Sequence, residues 1–244
     1  MREKGRERLA LGAAILLTAV LALLSVRVGS YPLSTGQILD ILSGGLAGTT
    51  PAHVLWNLRL PRVGMGLLAG WALGMAGGVY QTVFRNPLAS PDLTGVASGA
   101  SFGAVLGILM GLPSFLVQLS ALAAGLAAVA LVVFVSRVRG SSSVIMMILA
   151  GMVVSALFSA LVSLVKYIAD PQDVLPSITF WLMGSLSGTT RASLAMGAPL
   201  IAAGMAVIWL FRWKLNAMTL SEDEAVSLGI NVKRIRLLVI TGDA

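Results

Sequence analysis

Few side chains in this sequence could support catalysis. Ser98 and Ser101 lie in a glycine-rich stretch and could serve as nucleophiles, while His53 is the single histidine and lies outside the apolar stretches. A serine nucleophile needs a neighbouring base, and no other residue in those stretches is a plausible one. The chain has no cysteine, which excludes a thiolate nucleophile, a disulfide framework and a cysteine metal site. A serine protease is therefore disfavoured.

Two arginines could instead bind a partner. Arg59 and Arg62 flank Leu60 and Pro61, just before a long apolar stretch. Two cations beside the positive end of a helix dipole are unfavourable unless a nearby anion compensates their charge. We therefore expect both arginines to bind carboxylates of a partner protein through charge-assisted hydrogen bonds. The alternative is that they are interfacial anchors whose charged ends reach towards water.

A polar segment, residues 213–234, follows the last long apolar stretch. It holds a capping box, acids that suit the first turn of a helix, and a glycine that can end the helix: Ser221, Glu222, Asp223, Glu224 and Gly229. This pattern predicts a short, water-exposed helix that can meet another subunit. A solvated loop helix without a partner is the alternative.

A proline-containing turn occupies residues 84–92. Pro87 disfavours helical geometry at Asn86, and Asp92 can cap the helix that follows. A backbone that leaves the helix near a membrane surface must be sheltered by protein or water, so this turn could line a pathway. Local chemistry alone favours the simpler interpretation, a helix hairpin turn.

The elements that position these residues are apolar and long. Apolar residues make up 57% of the chain, charged residues 11%, and the mean hydropathy is +0.92. A bilayer core needs about 20 apolar residues per helix, and the uncharged stretches are Leu9–Val26, Val63–Phe84, Leu93–Ser136, Gly140–Val165 and Ala192–Phe211. The third is long enough for two helices separated at Gly111–Pro113. We therefore predict an all-α polytopic membrane helix bundle with six complete spans.

Glycines recur every four residues in two of these stretches. The first ladder is Gly66, Gly70, Gly74 and Gly78, and the second is Gly95, Gly99, Gly103, Gly107 and Gly111. Positions four apart lie on one helix face, so each ladder predicts a bare groove where another backbone can approach closely. In water, each such glycine would cost a helix about 1 kcal/mol relative to alanine.

The basic residues indicate the orientation. With a cytoplasmic N-terminus, twelve of the seventeen Lys and Arg residues lie on the inner side, as the positive-inside rule requires. The chain is therefore predicted to be a multi-pass protein of the cytoplasmic (inner) membrane. Topology and lipid head groups account for the net charge of +7, so no nucleic-acid partner is predicted. A cleaved secretory signal at the N-terminus is the alternative.

The spans lack the residues that drive many transporters. All the acids fall in loops or near span ends, whereas secondary transporters usually carry ionisable residues at membrane depth. The chain also has no phosphate-binding loop of the form G-x-x-x-x-G-K-[ST]. A transporter built this way would take its energy from a separate ATPase subunit. No cofactor and no metal site is predicted.

Several motifs resemble those of one transporter family. They are RLPRVGMGLLAGWALGMAGGVYQTVFRNPLASPDLTGVASGASFGAVLG from Arg59, ILAG from Ile148, WLMGSLSG from Trp181 and SEDEAVSLGI from Ser221. This run is similar to the permease subunits of ATP-driven importers for ferric siderophores, haem and cobalamin. The resemblance implies a non-enzymatic, ten-helix subunit. Such a subunit would pair with a second permease copy or paralogue, cytoplasmic ATP-binding cassette subunits and an extracytoplasmic substrate-binding protein.

The resemblance also implies roles for particular residues. Arg59 and Arg62 would meet glutamates of the binding protein, and Asn86 and Leu88 would narrow the cytoplasmic exit. A second gate loop would hold Ser141, Ser142 and Ser143. The helix around Ser221–Gly229 would receive motion from the ATPase, and residues 170–188 would contain a short extracytoplasmic helix.

One departure from the family pattern concerns the C-terminus. The family's seventh helix would begin at Ile235, yet the sequence stops at Ala244, and ten residues rise only about 15 Å as a helix. We therefore expect residues 1–244 to form a single, incomplete permease domain that does not transport by itself. A non-transporting structural or assembly subunit is the alternative, and an intramembrane enzyme is the disfavoured one.

Overall fold

The computed structural model describes residues 2–137 and 144–218. Within these ranges the chain is helical, so the all-α class is confirmed. The elements are α1 (Arg2–Arg27), α2 (Thr35–Leu42), α3 (Thr50–His53), a π-helical turn (Val54–Arg59), α4 (Leu60–Phe84), a 3-10 turn (Pro91–Thr94), α5 (Val96–Leu109), α6 (Ser114–Arg137), α7 (Val144–Ile168), α8 (Val174–Met183) and α9 (Arg191–Ala217). The predicted gate residues Ser141–Ser143, the coupling residues Ser221–Gly229 and the helix start at Ile235 lie outside the described residues.

Five of the described helices are long and apolar enough to cross a membrane: α1, the continuous run Thr50–Phe84, α6, α7 and α9. They correspond to five of the six predicted spans. The remaining one, α5, has 14 residues, a rise of about 21 Å, which is less than the hydrocarbon thickness of about 30 Å. The predicted short helix within residues 170–188 is α8.

Both ends of α5 are set by glycines in the left-handed conformation. Gly95, with φ of 70°, precedes the helix, and Gly111, with φ of 68°, follows it as predicted from the Gly-Leu-Pro break. Asp92 was expected to cap this helix, but it lies within the 3-10 turn, where its carbonyl accepts the Gly95 N–H at 3.2 Å. The expectation was wrong because a glycine can turn the chain here without a side-chain cap.

The described residues divide into two compact units, with the boundary falling inside α4 and inside α9. The first holds the residues up to 71 together with 186–200. Its small core consists of Leu33, Ile41, Ala52 and Leu55. α1 contributes only its C-terminal end to this core, through Val26.

The second unit holds residues 72–185 and those from 201 onward. Its largest core cluster combines side chains of α4, α6, α7 and α9, among them Val79, Tyr80, Val83, Phe84, Ala128, Val129, Val132, Val154 and Ile208. α5 packs along α6, with Ala104 against Val117 and Ala121. A third cluster joins α5 to the short helix α8 through Val105 and Ile178.

Three glycines of the second ladder, Gly99, Gly103 and Gly107, face α6 at very close range. A Cβ atom at Gly99 would lie 2.5 Å from the Ala128 Cβ, and one at Gly107 would lie 2.8 Å from the Ser120 Oγ. At Gly103 a Cβ would overlap the carbonyl oxygen of Ser120, whose own hydroxyl donates to the Gly103 carbonyl at 2.9 Å. Polar and van der Waals contacts of this kind replace the hydrophobic driving force between helices in lipid.

The first ladder is open in the described chain. A Cβ at Gly66 would lie 3.4 Å from the Leu186 Cδ1, but at Gly70, Gly74 and Gly78 no described atom comes within 4 Å. The packing role of this ladder stays a prediction.

Gly103 and Gly74 therefore make a matched pair. We expect Gly103→Ala to destabilise the chain by about 2 kcal/mol through overpacking, or about 4–8 °C in melting temperature. Gly74→Ala should leave the melting temperature of the isolated chain unchanged or slightly higher, because alanine favours the helix. Thermal denaturation in detergent measures both, and equal losses would contradict the different packing of the two ladders.

Candidate functional site

The two predicted docking arginines lie at the end of a distortion in the helix, Arg59 as its last residue and Arg62 three residues beyond it. Residues Val54–Arg59 form a π-helical turn, in which the Leu60 N–H bonds to the Leu55 carbonyl five residues earlier. Pro61 explains the wide turn, since its ring lacks an N–H and clashes with the carbonyl four residues before it. Single π-turns inside α-helices are frequent at functional sites.

Arg59 is buried, with only 8% of its surface exposed. One Nη atom donates to the carbonyls of Val26 at 2.6 Å and Arg27 at 2.7 Å, both in the last turn of α1. The other Nη atom donates to the carbonyl of Tyr31. The guanidinium group thus binds the C-terminal end of α1 and the loop that follows it.

Arg62 lies three residues further on and is exposed. Its Nε donates to the Leu186 carbonyl at 3.2 Å and its Nη2 to the Ser187 carbonyl at 2.6 Å. A cavity of about 720 Å³ lies beside both arginines, lined also by Ser25 and Tyr31. The structure thus gives the two arginines different surroundings, and their docking role stays a prediction.

A further cation lies in the same unit. The Arg191 guanidinium stacks on the Trp56 ring, 5.4 Å from its centroid. Arg27 is exposed at the end of α1. Arg62, Arg27 and Arg191 are thus exposed arginines of the same unit, and sequence analysis identified only Arg62 among them, through the Arg-Leu-Pro-Arg motif.

The predicted exit residues lie in an exposed turn. Asn86 accepts the Leu88 N–H on its side-chain oxygen at 2.9 Å, and its carbonyl accepts the Ala89 N–H at 3.0 Å. These bonds fix the backbone of the turn at Leu88, which is 86% exposed. Arg85 adopts φ of 49° and donates from Nε to the Met218 carbonyl, just after α9. The gate role of Asn86 and Leu88 stays a prediction.

Sequence analysis missed a buried polar pair, Tyr80 and Thr94, which joins the helix before this turn to the 3-10 turn after it. The hydroxyl groups of Tyr80 and Thr94 lie 2.7 Å apart, and both residues are 1% exposed. Thr94 donates to the Pro91 carbonyl at 3.0 Å, so Tyr80 is the donor to Thr94. Tyr80 also stacks on Phe84 with ring centroids 5.6 Å apart. A single tyrosine among small residues was the available sequence signal.

Tyr80→Phe tests this pair. Loss of the buried hydrogen bond should cost about 1 kcal/mol, a fall of about 2–4 °C in melting temperature. Tyr167→Phe is the control, since Tyr167 is 87% exposed. Equal melting temperatures for the two variants would show that the pair adds nothing to stability.

Candidate metal ligands and nucleophiles are dispersed among the described residues. The described residues contain no group of three or more His, Cys, Asp and Glu side chains that could hold a metal ion. Ser98 and Ser101 lie on α5, and His53 ends α3.

Comparison with known proteins identifies the family. Residues 17–242 match the FecCD transport family. The chain belongs to this family. Membership confirms the resemblance of the motifs, and it makes the chain a multi-pass membrane transport protein of a family of permease subunits.

FecCD relatives from several organisms align along most of the chain. The molybdate import system permease of Haemophilus influenzae is 36% identical over 92% of this chain and 68% of its own length. The hemin transport system permease of Yersinia pestis is 32% identical over 99% of this chain and 73% of its own length. The ferric enterobactin permease of Escherichia coli is 32% identical over 96% of this chain and 71% of its own length.

A solved structure shares the FecCD fold. A metal-chelate type ABC transporter in an inward-facing conformation superposes with a TM-score of 0.80 and 35% identity, over 96% of this chain and 70% of its own. This match confirms the predicted polytopic membrane helix bundle.

Proposed function

We propose that this chain is the permease subunit of an ATP-driven importer that carries a metal chelate, such as a ferric siderophore, haem or cobalamin, across the cytoplasmic membrane. The observation that carries the proposal is the structural match to a metal-chelate transporter along nearly the whole chain. The hemin and enterobactin permeases among the relatives support the same substrate class.

The energy source is proposed to be a separate ATP-binding cassette subunit. The chain has no phosphate-binding loop of its own, so hydrolysis requires a partner. We propose that segment 213–234 contacts this ATPase. α9 extends through the first residues of the segment to Ala217.

The orientation proposed here places the N-terminus in the cytoplasm and the Arg59–Arg62 motif outside. Arg62 is then exposed towards an extracytoplasmic substrate-binding protein, with Arg27 and Arg191 in the same positive unit. A complementary acidic surface would be steered to it and bound by charge-assisted hydrogen bonds.

The exit is proposed to form between two permease subunits, either two copies or two paralogues. Leu88 supports this, because an apolar side chain that is 86% exposed in one subunit gains from contact with a second. Asn86 fixes the backbone at Leu88 through its side-chain oxygen.

A second substrate class is favoured by one relative. The Haemophilus influenzae permease at 36% identity is a molybdate importer by name, so a small metal oxyanion is the alternative cargo. The two classes differ in size and charge, and one transport assay separates them.

The test is uptake into proteoliposomes that contain the complete product of the gene that encodes these residues, with its ATPase and binding protein co-expressed from the same source. Radiolabelled ferric siderophore, haem, cobalamin and molybdate are offered in turn, with and without internal ATP. We expect ATP-dependent uptake of one class, abolished by a variant of the ATPase phosphate-loop lysine. An assembled complex that moves none of these compounds would favour the non-transporting assembly subunit.

A further inference from the structure

The attachment of α1 is unusual. Of its residues 5–27, all are exposed except Ala22 and Val26, which are partly exposed. Its C-terminal end is bound to the π-helical turn through Arg59, which donates to the Val26 and Arg27 carbonyls, and Val26 packs on the small core. The contacts at this C-terminal end therefore determine where α1 lies within the first unit.

The carbonyl groups at the end of α1 need partners. The last four carbonyls of a helix have no intrahelical donor, and leaving them unpaired near lipid is costly. Arg59 supplies donors to two of them, those of Val26 and Arg27, and also to Tyr31 beyond the helix. A cation at this end also favours the helix dipole.

The surroundings of Arg59 are shaped for its guanidinium group. A Cβ atom at Gly29 would lie 2.7 Å from one Nη atom and 3.1 Å from the Cζ atom. The residue is 8% exposed, so its charge is enclosed by the carbonyls it binds. The planar guanidinium group of Arg59 donates to three separate carbonyls, whereas the compact ammonium group of a lysine could not reach all three together.

We infer that Arg59 is a positioning residue that fixes the end of α1 and the loop after it. The motif predicts a docking role for both arginines, whereas Arg59 donates to three carbonyls of its own chain. The inference concerns this chain alone and is tested without a partner.

Arginine modification tests the enclosure of Arg59 on the intact chain in lipid nanodiscs. Phenylglyoxal reacts with accessible guanidinium groups, and mass spectrometry reports each arginine separately. We expect Arg59 to react at least about tenfold more slowly than Arg62, because its reaction requires local opening. Equal rates would overturn the inference.

Spin labelling tests the positioning role. The natural chain has no cysteine, so Ser30→Cys introduces a single exposed site in the loop after α1. A nitroxide there should move faster in Arg59→Gln than in the parent, and Arg59→Lys should restore only part of the restriction. Arg62→Gln should leave the spectrum unchanged. An unchanged spectrum in Arg59→Gln, or equal effects of the two glutamine variants, would refute the role of Arg59.

Gly29→Ala keeps the test decisive should Arg59→Gln fail to fold. Its new Cβ would press on the guanidinium group while Arg59 itself is retained. We expect faster modification of Arg59 and faster motion of the label at position 30. Gly12→Ala, where no atom lies within 4 Å, is the control. Parent-like values for Gly29→Ala would overturn the inference whatever the outcome of the transport assay.

Discussion

Replacement of Gly151 by alanine is expected to cost at least about 3 kcal/mol of stability and to lower the melting temperature by about 6–12 °C. Gly151 lies on α7, directly against the 3-10 turn. A Cβ atom there would overlap the Leu93 carbonyl oxygen and lie 2.8 Å from its carbon. The neighbour is backbone, which cannot rotate away as a side chain can.

The turn opposite Gly151 has little freedom to retreat. Thr94 is hydrogen-bonded to Tyr80 and to the Pro91 carbonyl. The next residue, Gly95, lies so close to α7 that an added Cβ atom would be 3.2 Å from the Ser155 Oγ. Thermal denaturation in detergent measures the loss, with Gly188→Ala as control because no atom lies within 4 Å of its Cβ position. A melting temperature equal to the control's would contradict the close approach of α7 to this turn.

Arg62→Glu is expected to have the largest effect on function. Reversing this charge would replace an attractive contact with repulsion at the proposed docking surface, at a cost of about 2–5 kcal/mol. Binding of the substrate-binding protein should weaken by about 30-fold or more, and its salt dependence should diminish. Titration of that protein onto nanodisc-embedded permease at several salt concentrations measures both.

Two controls separate docking from folding in this experiment. Arg62→Gln removes the charge without reversing it and also loses the guanidinium bonds to the Leu186 and Ser187 carbonyls, so it measures the effect of losing those bonds on folding. Arg8→Glu changes the net charge by the same amount at an exposed position near the other end of α1. Unaltered affinity at low salt in Arg62→Glu, with both controls folded, would exclude Arg62 from docking.

The fold class could be predicted from the sequence because its causes are local in the chain. Bilayer thickness and backbone hydrogen bonding require long apolar helices, and the uncharged stretches have the necessary length. The end of α5 was also predictable, since glycine and proline act on their own backbone. The family could be recognised because its motifs are contiguous runs of residues.

The roles of individual residues depended on partners distant in sequence. Arg59 and Arg62 look alike in the motif, yet Arg59 bonds carbonyls 28 to 33 residues earlier, while Arg62 bonds carbonyls 124 and 125 residues later. Spacing within the motif contains no information about those acceptors.

The glycine ladders show the same division between sequence and tertiary structure. Their four-residue spacing determined that each lies on one helix face. Whether another backbone covers that face was decided by folding, which brings α6 onto Gly103 but leaves Gly74 without a described neighbour. Periodicity is a property of one helix, whereas packing is a property of two, and only the tertiary structure supplies the second.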